Sequence, residues 1–415
     1  MTFTQPEERE VARVRNHTHV AEAAMARPSA AFPRLVDEGE YQACTFDLSV
    51  PPWEGAPGAS EWIHVFRASL GEFVRRASSA SDEDGGGTDA PARARAFEED
   101  FLRVLKAYEC DEAVSCAPDW CPKPLPTLDC VWLCRLRERA LRVHGFEDVF
   151  RDVKASQNDE ACRMLPALLR RLDQMQDERL LMERLVRGLL AGNTFDLGAN
   201  ASARAFQDGE STSGSVESFF ETCETLPDRP WMVDDVDAYL QAWCDEAAWR
   251  CDHRKAVVFV DNAGADAVLG ALPFARQLAK RDMDVVLAAN RSPSINDITA
   301  AELETALADA RKNDEFLRNV GEKVRVVECG NELPVIDLKD VSMQLASEAE
   351  DADLVVLLGM GRAVETNLHV ELDCDCLRVA RVKHKEVAQL LGGELFGCVV
   401  KWTRAMESCK RRSGS

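Results

Sequence analysis

KAVVFVDNAGADAVLGALPFARQLAKRDMDVVLAANRSPSINDIT, residues 255–299, is the stretch whose reading decides the fold. VVFV is a short apolar run that stops at Asp261 and Asn262, and Gly264 lets the backbone turn into a helix of about fifteen residues ending at Lys280. A second run, Val285 to Ala289, stops at Asn290, and a polar loop then carries Asn296 and Asp297 into a helix that Thr299 begins. This is strand, acidic turn, helix, strand, acidic turn, the opening of a βαβ series. In a parallel sheet, the loops leaving the carboxyl ends of strands converge on one crevice. The two carboxylates and two carboxamides are therefore expected to meet.

Working outward, strands are predicted at Val324–Val327, Leu354–Leu358 and within CLRVARV, with a final apolar run from Phe396 to Trp402. Helices alternate with them at Thr299–Asp314 and Leu338–Glu350. The alternation predicts a three-layer α/β/α, Rossmann-like, mostly parallel sheet. Upstream the pattern is helical almost throughout, at Trp62–Arg75, from Arg93 to about Cys110, at Leu128–Leu141, onward to Leu190, then at Val216–Glu224 and Val233–Trp249. The expected organisation is a variable leader over 1–92, with a loop or disordered insertion at 78–92, an N-terminal helical subdomain over 93–250, an α/β core over 251–404 and a tail over 405–415. Arg135, Arg137 and Glu138 fall on the polar surface of the Leu128–Leu141 helix.

The chain has 415 residues, 46% of them apolar, and carries 72 acidic against 50 basic residues for a formal charge of -22. That charge disfavours nucleic acid and anionic membranes as partners, while a bound cation would still admit an anionic substrate. No run approaches the length of a membrane helix and TFTQPEEREVARVR lacks a signal core, so a soluble, cytoplasmic protein is expected. The 15 cysteines read as free thiols in a reducing compartment, since Cys110, Cys116, Cys121, Cys130 and Cys134 form no paired zinc knuckle.

The chemistry concentrates in the loops. Asp261, Asn262 and Asp297 supply two carboxylates and a carboxamide, a donor set for magnesium, manganese or a related divalent ion that leaves positions for water and a phosphoryl oxygen. Asp266 either caps the following helix or positions water. Gly192, Asn193, Asp196 and Gly198 break the helical region; they read either as a capped helix end or as a loop that points Asn193 and Asp196 into a cleft. In GMGRAVETN, residues 359–367, the amides of Gly359 and Gly361 could face phosphate, although the run lacks the Gly-Lys-Ser or Gly-Lys-Thr ending of a phosphate-binding loop. Glu365 could meet a substrate amine or hydroxyl, or cap a helix. Lys383 is placed to bring charge to phosphate.

DNAGAD followed by LAANRSPSINDIT, with AGNTFDLG before them and GNELPVIDL, GMGRAVETN and VKHKEVAQLLGG after, resembles the metal-dependent damage-control phosphatases once grouped as domain of unknown function 89. The likeness covers about residues 95–404 and points to the subgroup of plant stand-alone enzymes and the phosphatase domain fused to pantothenate kinase 4. The resemblance implies metal ligation by Asp261, Asn262 and Asp297, with magnesium, manganese, cobalt or nickel as the ion. Asn193 and Asp196 would enter the cleft, and Asn296, Glu365, Lys383 and Arg137 would contact substrate or phosphate. It implies hydrolysis of 4'-phosphopantetheine and its oxidised or damaged forms, in coenzyme A metabolism. The expected catalytic carboxylates are Asp261 and Asp297 at the cation, with Asp196 or Asp266 orienting the water. Sugar-phosphate hydrolysis, carboxyl methyl transfer and non-catalytic metabolite binding are the competing readings.

Overall fold

The computed structural model describes residues 28–46, 58–80, 86–109, 117–193, 195, 215–330 and 332–405. Asp196 lies outside the described residues, as do 1–27 and 47–57 of the leader, 81–85 of the 78–92 insertion and the tail after residue 405. The chain divides into two compact units, one formed by 1–30 and 48–149, the other by 31–47 and 150–415.

Apart from the two-residue strand Ser29–Ala30, the regular elements described in the first unit are helices. Its helices are α1 (Ala59–Ser78), α2 (Ala90–Glu109) and α3 (Cys130–Val143), the last capped by the Asp129 carboxylate, which accepts the Trp132 amide at 2.7 Å. Phe66, Phe97 and Phe101 form its aromatic centre. Arg137 was expected on the polar surface of α3, but it is buried. Its guanidinium donates to Glu138 at 2.9 and 3.1 Å and lies over the rings of Phe66 and Phe73. A planar cation that pairs with a neighbouring carboxylate and stacks on aromatic faces can be buried at modest cost.

The second unit is built on a seven-stranded sheet: β1 (Val233–Asp234), β2 (Lys255–Phe259), β3 (Asp284–Ala289), β4 (Val324–Glu328), β5 (Leu354–Leu358), β6 (Asp375–Arg381) and β7 (Cys398–Thr403). Their order is β1-β7-β6-β5-β2-β3-β4, parallel throughout except for β7 against β6. Val233 and Asp234, expected to open a helix, instead form the short edge strand β1. The chain runs outward from β2 to β3 and β4, then returns to β5 on the other flank of β2. The switch point of the sheet thus lies between β2 and β5, where loops open a crevice at the carboxyl edge.

Both faces of the sheet are covered. Ala256, Val258 and Val260 join one continuous apolar cluster with α4 (Arg151–Asp173), α5 (Glu178–Gly192) and α6 (Val216–Glu224). The alternate residues Val257 and Phe259 are buried on the opposite side, with Phe32 against Phe259 at 5.7 Å between ring centres. The strands read as continuous apolar runs for this reason. The expected long helix after Gly264 begins as a π-helical turn, Ala265–Ala271, before the α-helix Leu272–Lys280. A second π-helical turn, Met360–Thr366, follows β5. Both stand at the ends of the two strands that flank the switch point, and π turns concentrate at functional sites.

Candidate active site

The two acidic turns do meet. Asn262 and Asp297 pair across an antiparallel bridge, the Ile298 amide donates to the Asp261 carbonyl at 3.0 Å, and the Ala263 amide donates to the Asn296 carbonyl at 2.9 Å. Asn296 takes part through its backbone. The preceding residue, Ile295, has a φ of 43°, a left-handed conformation that a β-branched side chain rarely adopts.

Three carboxylates collect here. Asp261 Oδ2 accepts from the carboxamides of Asn193 at 2.9 Å and Asn262 at 2.8 Å, and Asp266 Oδ2 accepts from the same two groups at 2.8 and 2.9 Å. Asn193 reaches this position because Gly192, the last residue of α5, lies against the π turn: a Cβ there would stand 2.9 Å from the Ala265 carbonyl oxygen and the Asp266 Cα. Asp297 is held by Asn290, whose carboxamide donates to Oδ2 at 3.1 Å.

Arg362 is the central residue that sequence reasoning did not single out. Its guanidinium, 1% exposed, pairs with the Asp261 carboxylate and donates to Asp297 Oδ2 at 2.6 Å and to Asn290 Oδ1 at 3.0 Å. In GMGRAVETN the sequence alone points to the glycine amides. In the fold the Gly359 amide donates to the Val379 carbonyl at 3.0 Å, so it is not offered to a phosphate. The absence of a side chain at Gly359 serves another purpose, since a Cβ there would stand 2.0 Å from the Asp261 carboxylate. Gly361 is as tightly placed, 2.1 Å from the Pro334 carbonyl oxygen on the same measure. The glycines let the turn come close enough for Arg362 to reach both acidic turns. The missed signal was a lone arginine between small residues at a strand end.

Glu365 is buried on the same π turn, 3.6 Å from the His384 ring, and its backbone carbonyl accepts the Thr45 amide at 2.8 Å. Lys383 is half-buried just beyond β6, and its charge is felt at Asp266. Arg137 belongs to the first unit, where it is paired as described above.

Burial sets the acidities. It pushes the Asp266 carboxyl up to about 6, aided by the charge of Asp261 and opposed by the Asn193 hydrogen bond. Burial likewise pushes Asp297 up to about 7, against the pull of Arg362. Desolvation outweighs the charge of Arg362 at Asp297 and that of Lys383 at Asp266. The guanidinium itself is held charged despite its burial by Asp297 and Asp261.

The donor set fits a hard cation. Asp297 Oδ1 and Asn193 Oδ1 are buried without hydrogen-bond partners, a costly state that a cation or its water shell would relieve. Among the described residues no three His, Cys, Asp or Glu side chains are arranged as a metal site, and Asn262 is the carboxamide that the bridge places beside Asp297.

These acidities yield a pH prediction. Asp266 and Asp297 bind protons more tightly in the folded than in the unfolded chain, so the stability they confer is present below about pH 4 and is lost as pH rises through about 6 to 7. The melting temperature of cation-free protein is expected to fall between pH 5 and pH 8. Added manganese should raise it little at pH 5 and strongly at pH 8. Equal manganese shifts at both values would contradict the assignment.

Arg362→Gln leaves two buried carboxylates facing each other without a counter-charge, which should destabilise the cation-free protein by about 3–5 kcal/mol. Chemical denaturation with and without manganese would measure this, and a loss under about 1 kcal/mol would remove Arg362 from the role of counter-charge.

A family model described as the damage-control phosphatase ARMT1-like domain matches residues 65–399. The chain belongs to this phosphatase family. It is 42% identical over 378 residues to damage-control phosphatase At2g17340 of Arabidopsis thaliana, covering 89% of this chain and 96% of that protein. It is also 28% identical to the mouse 4'-phosphopantetheine phosphatase, covering 91% of this chain and 49% of the relative. Among solved structures, a DUF89 family protein from Pyrococcus horikoshii superposes with a TM-score of 0.57 at 16% identity, covering 83% of this chain and 98% of that one, a likeness of fold. No helix among the described residues is long and apolar enough to cross a membrane.

Proposed function

We propose that this chain hydrolyses the phosphate ester of 4'-phosphopantetheine and of its oxidised or otherwise damaged forms, acting in the cytoplasm on a divalent-ion-dependent site. The observation that carries the reading is the meeting of the β2 and β3 turns; Asp261, Asn262 and Asp297 on them are the cation ligands we propose. The names of the plant and mouse relatives support the substrate class.

A bound magnesium, manganese, cobalt or nickel ion would neutralise phosphate oxygens and sharpen the electrophilic phosphorus. The chain's own residues do the rest. Lys383 makes no ion pair among the described residues and brings positive charge to the edge where phosphate would sit. Asp266, raised toward neutrality beside Asp261, is suited to orient an attacking water and take its proton as the oxygen–phosphorus bond forms. The bond from phosphorus to the ester oxygen breaks, that oxygen takes a proton from solvent and leaves as the alcohol, and Asp266 returns its proton to solvent. Arg362 fixes the spacing of Asp261 and Asp297, Asn193 ties Asp261 to Asp266, and Glu365 faces the substrate's polar atoms.

The test is phosphate release by purified protein from phosphopantetheine, its sulfonate and a set of sugar phosphates, with each of the four ions and with chelator. Ion-dependent release that favours the pantetheine compounds is expected. A preference for a sugar phosphate would overturn the substrate, and no release in any combination would overturn the phosphatase reading for this chain.

A further inference from the structure

Helix α4 places Lys154, Gln157 and Asn158 on one face, at i, i+3 and i+4. This face meets both acidic turns. Asn158 Oδ1 accepts the Gly264 amide at 2.7 Å, in the short stretch between Asn262 and Asp266. Gly264 has a φ of 74°, and a Cβ there would stand 2.8 Å from the Cβ of Gln157, so the first turn is pressed onto the helix. One helical turn earlier, the Lys154 ammonium is fully buried, 2.9 and 3.2 Å from the two carboxylate oxygens of Glu302. Glu302 in turn accepts the Thr299 amide at 2.8 Å, closing the reciprocal cap of the helix Ala300–Asn313 just beyond Asp297.

We infer that α4 is the common brace of the two turns: Asn158 positions the Asp261–Asp266 turn, and Lys154, through Glu302, positions the turn that carries Asp297. A fully buried ammonium is expensive, and an apolar residue of similar size would usually serve stability as well or better. Its place at the root of the second turn supplies a reason for the charge. Hydrogen bonds between the turns and the Arg362 bridge join them from inside the site, and the α4 face adds a rigid hold on each from outside. Metal sites depend on such outer partners, whose loss commonly weakens affinity by about 10–100-fold. The inference rests on the reading of the two turns as a cation site.

The test uses the full chain with Asn158→Ala, Asn158→Asp, Lys154→Met and Glu302→Gln. In cation-free protein, hydrogen exchange is followed over peptides spanning 261–268 and 295–302. Asn158→Ala is expected to speed exchange in the first peptide alone, and Lys154→Met and Glu302→Gln in the second alone. Calorimetric titration with manganese should show affinity weakened about 10–100-fold in all three, with kcat falling more than KM changes. Asn158→Asp keeps an acceptor for the Gly264 amide and should restore both readouts. If Lys154→Met does not fold, Glu302→Gln carries the second arm, since it removes the charge pair and keeps an oxygen for Thr299. Exchange that quickens equally in both peptides, or unaltered manganese affinity in Asn158→Ala and Glu302→Gln, would overturn the brace. Wild-type protein that binds no manganese would overturn the cation reading instead, while the exchange contrast would still decide whether α4 holds the turns.

Discussion

Asp297→Asn is expected to lower ion-dependent phosphate release on the order of a thousandfold or more, the scale on which loss of a cation's several kcal/mol of charge stabilisation appears in a rate. The substitution keeps the shape of the side chain and removes one negative charge at a position 1% exposed to solvent. The fold should persist. Burial already drives this carboxyl up to about 7, so a neutral amide is tolerated there, and Arg362 retains Asp261 and Asn290 as partners. The cation is what loses. Asp297 Oδ1 is a buried oxygen without a hydrogen-bond partner, and its charge is what would make it a strong ligand. Phosphate release and the manganese-induced shift in melting temperature measure the two effects together. A variant that kept a tenth of the activity, or a full manganese shift, would exclude Asp297 from the ion's coordination.

Gly359→Ala is expected to be nearly as damaging, by a route that no inspection of charge would suggest. The residue adopts a φ of 88°, which costs an alanine about 1 kcal/mol before contacts are considered. Its Cβ would stand 2.0 Å from the Asp261 Cγ and Oδ2 and 2.4 Å from Oδ1, so one of the two must move. Asp261 cannot turn aside cheaply, because Arg362 holds one oxygen and Asn193 and Asn262 hold the other. Activity should fall to the level of Asp261→Ala, with a stability loss of about 3 kcal/mol or more from overpacking beside a buried ion pair. The double variant Gly359→Ala/Asp261→Gly separates the causes. It should recover much of the stability and none of the activity, a non-additivity measurable by denaturant titration. Simple additivity would mean that the glycine is required for its backbone conformation alone.

These two residues show how far one-dimensional reading reaches. Asp297 was legible because the apolar run before it ends at Asn290 and the next helix opens at Thr299, so its loop had to leave the carboxyl edge of the sheet. Gly359 is legible as a strand-end glycine, but the task of its missing side chain is not. The sequence suggested an amide for phosphate, whereas the amide is spent on Val379 and the missing side chain makes room for Asp261. Arg362 was passed over because nothing in GMGRAVETN says that the turn is π-helical, which alters where each following side chain points. Lys154 and Asn158 looked like ordinary polar positions on an amphipathic helix, and only their neighbours distinguish them.

The sequence by itself determined the alternation of strands and helices, the carboxyl-edge location of the acidic turns and the donor types they carry. All three follow from periodicity and chain direction, which are local properties. The tertiary structure alone decided that β2 lies between β5 and β3, so that a turn almost a hundred residues further along the chain delivers Arg362 between Asp261 and Asp297. Strand order and the closeness of backbones depend on which surfaces bury one another. Those are sums over distant contacts, and no window of sequence contains them.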